Sequence, residues 1–78
     1  MTHEEVWGAI DKFASAQHIT CSALARRGGL DPTAFNRSKR FSKEGKARWP
    51  STHSIAKILS ASGKNFSDFV EFLGRRGE

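Results

Sequence analysis

The stretch "SALARRGGLDPTAFNRSKR", residues 22–40, sets two helix signals on either side of a glycine pair. Thr20, just ahead of it, can cap a helix that contains Cys21, Leu24 and Ala25, and Gly28-Gly29 supplies the backbone freedom that ends it. Asp31 is a good N-cap for a further helix, and Pro32 fits the first helical position, where a missing N–H costs nothing. At 100° per residue, Thr33, Asn36, Arg37 and Arg40 then fall within roughly a 100° arc, while Ala34, Phe35 and Ser38 point the other way. The spacing predicts a short helix, a tight turn and a second helix with a polar outer face.

Elsewhere the chain gives helix signals and no alternating pattern of a strand. Thr2 and Glu5 have the spacing of a capping box, and Val6, Ile10, Phe13 and Ala14 recur at helical intervals, so a first helix should run to about Gln17. From Ser38 to Pro50 the pattern breaks into a long basic loop with a turn signal at Glu44-Gly45. Ser51 caps a helix with Ile55, Ile58, Leu59 and Ser62 on one face and Gly63 just past its end. A last helix places Phe66, Phe69, Val70 and Leu73 at i, i+3, i+4 and i+7. The expected fold is all-α, five short helices forming one domain over residues 1–74, with 75–78 a frayed tail that begins a linker.

Composition narrows the function classes. Seventy-eight residues with 37% hydrophobic content, six Phe and two Trp suffice for one compact core and leave no room for a large cofactor. No apolar run approaches the roughly 18 residues of a membrane span, and the N-terminus lacks a secretory leader, so the expected location is cytoplasmic. Cys21 is alone and forms no internal disulfide. His3, His18 and His53 make no zinc-finger set, and neither metal nor cofactor is expected. His18 and Cys21 straddle a helix start with no third group to orient the histidine, so the chain does not read as an enzyme with a small-molecule substrate. The net charge of +5 is concentrated: residues 26–48 hold eight arginines and lysines against Asp31 and Glu44, a local +6, and the rest of the chain carries −1. Such a block suits a polyanion or is a solvated face.

Helices two and three, joined by a turn of a few residues, have the pattern of a helix-turn-helix, whose second helix enters the DNA major groove. "SALARRGGLDPTAF" resembles the motif of the lambda-repressor-like helix-turn-helix family: Ala25 small where the two helices cross, Gly29 at the turn, Leu30 next and Phe35 as the inward anchor. More narrowly, "LARRGGLDPTAFNRSKR" followed by "RWPSTHSIAKIL" resembles the N-terminal domain of bacterial repressors of the phage repressor C and LexA-like type, in which an S24 peptidase-like domain usually follows. The sequence departs from that pattern at three places. Cys21 stands where many relatives carry a phosphate-binding Gln and is given no DNA role. Gly28 replaces Ala or Val at an expected cost of up to about 1 kcal/mol in helix propensity. The loop from Ser38 to Pro50 is longer than in the smallest members.

The expected function is sequence-specific binding of double-stranded DNA in transcription regulation. Thr33, Asn36, Arg37 and Arg40 are the candidate base contacts, since Arg can bond guanine and Asn adenine in the major groove. Lys39, Lys43, Lys46 and Arg48 are the candidate phosphate contacts. Trp49, beside Pro50, is read as a packing residue. The rival is a basic helical module that binds RNA or an acidic protein. Because the apolar residues look spent on the core, the isolated domain is expected to be a monomer, with dimerisation of a full-length repressor left to a region beyond residue 78.

Overall fold

The computed structural model describes residues 2–73, and the tail expected at 75–78 lies outside them. Four α-helices follow in order: α1 (His3–Ala16), α2 (Cys21–Arg27), α3 (Thr52–Ala61) and α4 (Phe66–Val70). Among the described residues there is no strand, only one isolated antiparallel bridge between Phe41 and Ala47. The fold is all-α, with four α-helices where five were expected.

Each α-helix starts at a side-chain cap. Thr2 Oγ1 accepts from the Glu5 N–H while Glu5 Oε1 accepts from the Thr2 N–H, closing the capping box. Thr20 accepts from Ala23 N–H and Ser51 from Ser54 N–H. Asn65 and Asp68 form a second capping box at α4. The first three helices also end alike. The residue two past each C-cap donates its N–H back to a carbonyl five earlier: Ile19 to Ala14, Leu30 to Ala25, Lys64 to Leu59. This Schellman geometry places the intervening residue in the left-handed region, which Gly29 and Gly63 adopt freely and His18 adopts at φ 59°.

The core is one cluster. Ile10 and Phe13 of α1, Leu24 and Ala25 of α2, and Ile58 and Leu59 of α3 are all at most 2% exposed. Trp7, also buried, packs edge-on to Phe35, and Phe13 does the same to Phe69 and Phe72. Gly28 proves to be a place of close approach: a Cβ there would stand 3.1 Å from Ile58 Cγ2 and 3.3 Å from the α3 backbone. It is the C-cap of α2 and not an interior residue, so the helix-propensity cost expected from the sequence does not apply.

Two expectations fail. The segment capped by Asp31 is not an α-helix. Asp31 Oδ1 accepts from both the Thr33 N–H and the Thr33 hydroxyl, and the backbone bonds that follow are i to i+3: Ala34 to Asp31 and Asn36 to Thr33. Asn36 is extended at ψ 153°, and a single 3₁₀ turn, Arg37–Lys39, comes after it. The Phe35 carbonyl, which Lys39 N–H would take in an α-helix, instead accepts from the Arg40 guanidinium. The segment remains anchored as expected, because Phe35 is 2% exposed.

The second failure is at α4. Its buried side centres on Phe69, with Phe72 partly buried just beyond, whereas Phe66 and Val70 are about half exposed. The apolar spacing 66, 69, 70, 73 picks a face rotated away from the one that meets α1 and α3. With Trp49 and Leu73, these two side chains line an open apolar groove of about 280 Å³. The domain's apolar surface is therefore not all spent on its core, contrary to the ground given for expecting a monomer.

Candidate nucleic-acid interface

The basic residues of 26–48 divide into two groups by how the chain holds them. Arg40, expected on an outward arc with Thr33, Asn36 and Arg37, is turned inward. Its two terminal nitrogens donate to the Asp11 carboxylate at 2.8 and 3.2 Å, one of them also reaches the Phe35 carbonyl, and the guanidinium lies 4.8 Å from the Trp7 ring centroid. Only 11% of its side-chain surface is exposed. The helical arc failed to place it because the extended Asn36 breaks the arc ahead of Arg37 and the 3₁₀ turn changes the rotation between Arg37 and Arg40.

Asp11 is the hub of this inner network. Burial alone would raise its pKa, but hydrogen bonds from Arg40 and Cys21 and the charges of Arg40 and Arg37 hold the carboxyl below the usual range. Cys21 Sγ donates to Asp11 Oδ1 at 3.1 Å. Burial, then that hydrogen bond and the Asp11 charge, push the thiol up to about 11. It is a protonated thiol at neutral pH and a poor nucleophile. Hydrogen bonds from the Thr33 side chain and N–H likewise lower the pKa of exposed Asp31.

Thr33, Asn36, Arg37 and Lys39 are all exposed. Thr33 has its hydroxyl proton engaged by Asp31, leaving its oxygen outward as an acceptor. Asn36 precedes the 3₁₀ turn and makes no capping bond, so its amide is not committed to that turn. Arg37 lines an open cleft of about 330 Å³ between the start of α1 and Phe41.

The loop expected after Ser38 is a compact hairpin. Arg48 N–H donates to the Arg40 carbonyl, Ser42 N–H to the Lys46 carbonyl and Gly45 N–H to the Ser42 carbonyl. Gly45 sits at φ 81°, as the last residue of a three-residue hairpin loop requires. Two α1 side chains fasten the root. His3 Nε2 lies 2.8 and 2.9 Å from the Arg40 and Arg48 carbonyl oxygens and 3.1 Å from Trp7 Nε1. Trp7 Nε1–H donates to the Arg48 carbonyl at 2.9 Å. Phe41 and Trp49, each just over half exposed, flank the His3 ring at centroid distances of 4.9 and 5.8 Å. Trp49 packs on His3 and the apolar groove but is not a core residue. Lys43, Lys46 and Arg48 are exposed along this hairpin.

Asp11, His3 and Trp7 position these segments, and no local sequence signal marks them, because their partners lie 29 to 45 residues away. Among the described residues, no cluster of three or more histidines, cysteines or carboxylates could hold a metal ion, and no helix is long and apolar enough to cross a membrane. In comparisons with known proteins, no family model, no curated protein and no solved structure matches the chain.

Proposed function

We propose that the chain binds double-stranded DNA sequence-specifically, as the N-terminal part of a phage-repressor-like bacterial regulator in which the turns of residues 31–39 stand in the place of the second helix of a helix-turn-helix. The observation that carries the reading is the placement of Thr33, Asn36 and Arg37 on an exposed segment nailed to the core by Phe35, beside a hairpin with three exposed cations. Hydrogen-bonding tips of these types match base edges in a major groove. Lys39 and Arg48, both exposed, supply phosphate contacts, which fix register without selecting sequence. Arg40 has no part in base contact, because its terminal nitrogens are committed to Asp11 and Phe35.

The test begins with a duplex selected from a random pool by the wild-type chain. Asn36→Ala or Arg37→Ala should weaken binding to that duplex by about 1–3 kcal/mol relative to random DNA. Equal losses on both duplexes would remove the base-reading role. Absence of any preference among duplexes, with tighter binding to RNA or to an acidic protein, would support the rival reading instead.

A further inference from the structure

The hairpin is built with more care than adhesion to a polyanion needs. A charged loop of any shape would lower the free energy of phosphate contact, yet here both carbonyls at the root are held by His3, a third bond comes from Trp7, and the cross-strand Arg48–Arg40 bond closes it. Apart from Arg40, whose side chain turns in on Asp11 and Trp7, none of the residues from Asn36 to Trp49 adds to the core. What the fastening does is to hold a projecting element in one position next to the Arg37 end of the exposed segment.

Its size says what it can reach. From the Arg40–Arg48 pair to the turn at Glu44 the hairpin spans four residues, roughly 13 Å at about 3.3 Å per residue. A B-DNA major groove is about 12 Å wide, so an element rooted beside side chains in that groove clears the bordering phosphate strand and arrives at the next minor groove. The hairpin body is too broad for a groove about 6 Å wide, but single Lys side chains are not. Lys43 opens the three-residue turn and Lys46 directly follows it, so the two cations flank Glu44 at the tip. Narrow A·T-rich minor grooves carry enhanced negative potential and attract such cations.

We infer that the 40–48 hairpin is a second reading element, which crosses the phosphate backbone and lays Lys43 and Lys46 at the adjacent minor groove, favouring A·T-rich flanks. This rests on the reading that residues 31–37 face the major groove of double-stranded DNA. It extends the recognised site beyond the bases that 31–37 contact.

The experiment is a competition among duplexes that share the selected core and differ only in flanks, A-tract against G·C. The wild-type chain should prefer A-tract flanks about 3- to 10-fold, and an A·T-specific minor-groove polyamide should abolish that preference. The double variant K43Q/K46Q should lose the flank preference and keep the core preference, with the Arg48 amide still protected from hydrogen exchange to show that the hairpin is intact. N36A should do the reverse. A wild-type chain indifferent to flanks, or a flank preference that survives in K43Q/K46Q, overturns the inference. A chain blind to the core but still selective for flanks overturns the role of 31–37 alone and supports the hairpin as a reader. Preference for RNA over every duplex overturns both.

Discussion

The helical frame and the segment from Asp31 to Trp49 are held together by different kinds of bond. Every α-helix of the frame is capped by a residue three positions from its partner, and three of them close with bonds across six residues. The 31–49 segment has local turns, but its position depends on side chains far away in sequence: Asp11 on Arg40, His3 on two carbonyls, Trp7 on a third bond. Phe35 is its one buried contribution. The frame is therefore stabilised in many small, independent steps, whereas the segment hangs on a few bonds whose loss releases several residues together.

Arg40→Ala should show this contrast at its largest. It unpairs a partly buried Asp11, frees the Phe35 carbonyl and removes the stacking on Trp7, so a loss of about 2–3 kcal/mol is expected in urea denaturation, less than for a fully buried pair because Asp11 is 43% exposed. The pH dependence follows. A carboxyl whose folded pKa is lowered contributes stability above its unfolded value, near 3.8, and that contribution is lost as pH falls through the folded one. Wild type should lose this part of its stability below about pH 4, while the Arg40→Ala curve should be flatter there.

His3→Ala comes next and should act locally. Loss of the two carbonyl contacts is expected to cost about 1 kcal/mol overall, with the Arg48 amide losing exchange protection well before the amides of α1 and α2. Uniform loss of protection would mean that the hairpin and frame open as one unit. In the frame, Thr20→Ala removes a single cap and should cost about 1 kcal/mol with no change at Arg48. The smallest effect is a gain: His18→Gly relieves a left-handed residue at the end of α1 and should stabilise the fold by about 0.5 kcal/mol.

The same division decides what could be read from the chain. Thr2, Thr20, Ser51 and Gly63 mark the ends of α1, α2 and α3 because caps are local chemistry, and the apolar periodicity of those helices identifies core residues such as Ile10, Leu24 and Ile58. Asp31-Pro32 gave an equally local signal and misled, since Asp31 serves a tight turn with Thr33 and the Phe35 carbonyl goes to a side chain five residues on. Glu44-Gly45 marked a turn, but nothing nearby showed that His3 and Trp7 would fasten a hairpin around it. Asn36, Arg37 and Thr33 stayed exposed because turn and helix alike leave them away from the Phe35 anchor. Arg40 moved inward because Asp11, far along the sequence, offered a partner that no periodicity encodes.

The contact between Cys21 and Asp11 turns this architecture into something that can be timed. The sequence holds one thiol, so an alkylating reagent modifies a single atom without any engineering. With its pKa pushed up to about 11 by burial and by the Asp11 hydrogen bond and charge, that thiol is far less ionised at pH 8 than a free one and reacts correspondingly slowly while Asp11 stays in place. Each excursion that carries Asp11 away and wets the sulfur restores ordinary reactivity. The labelling rate of Cys21 is therefore a clock for how often the Asp11–Arg40 clasp lets go, and a ligand that braces residues 31–40 would slow it.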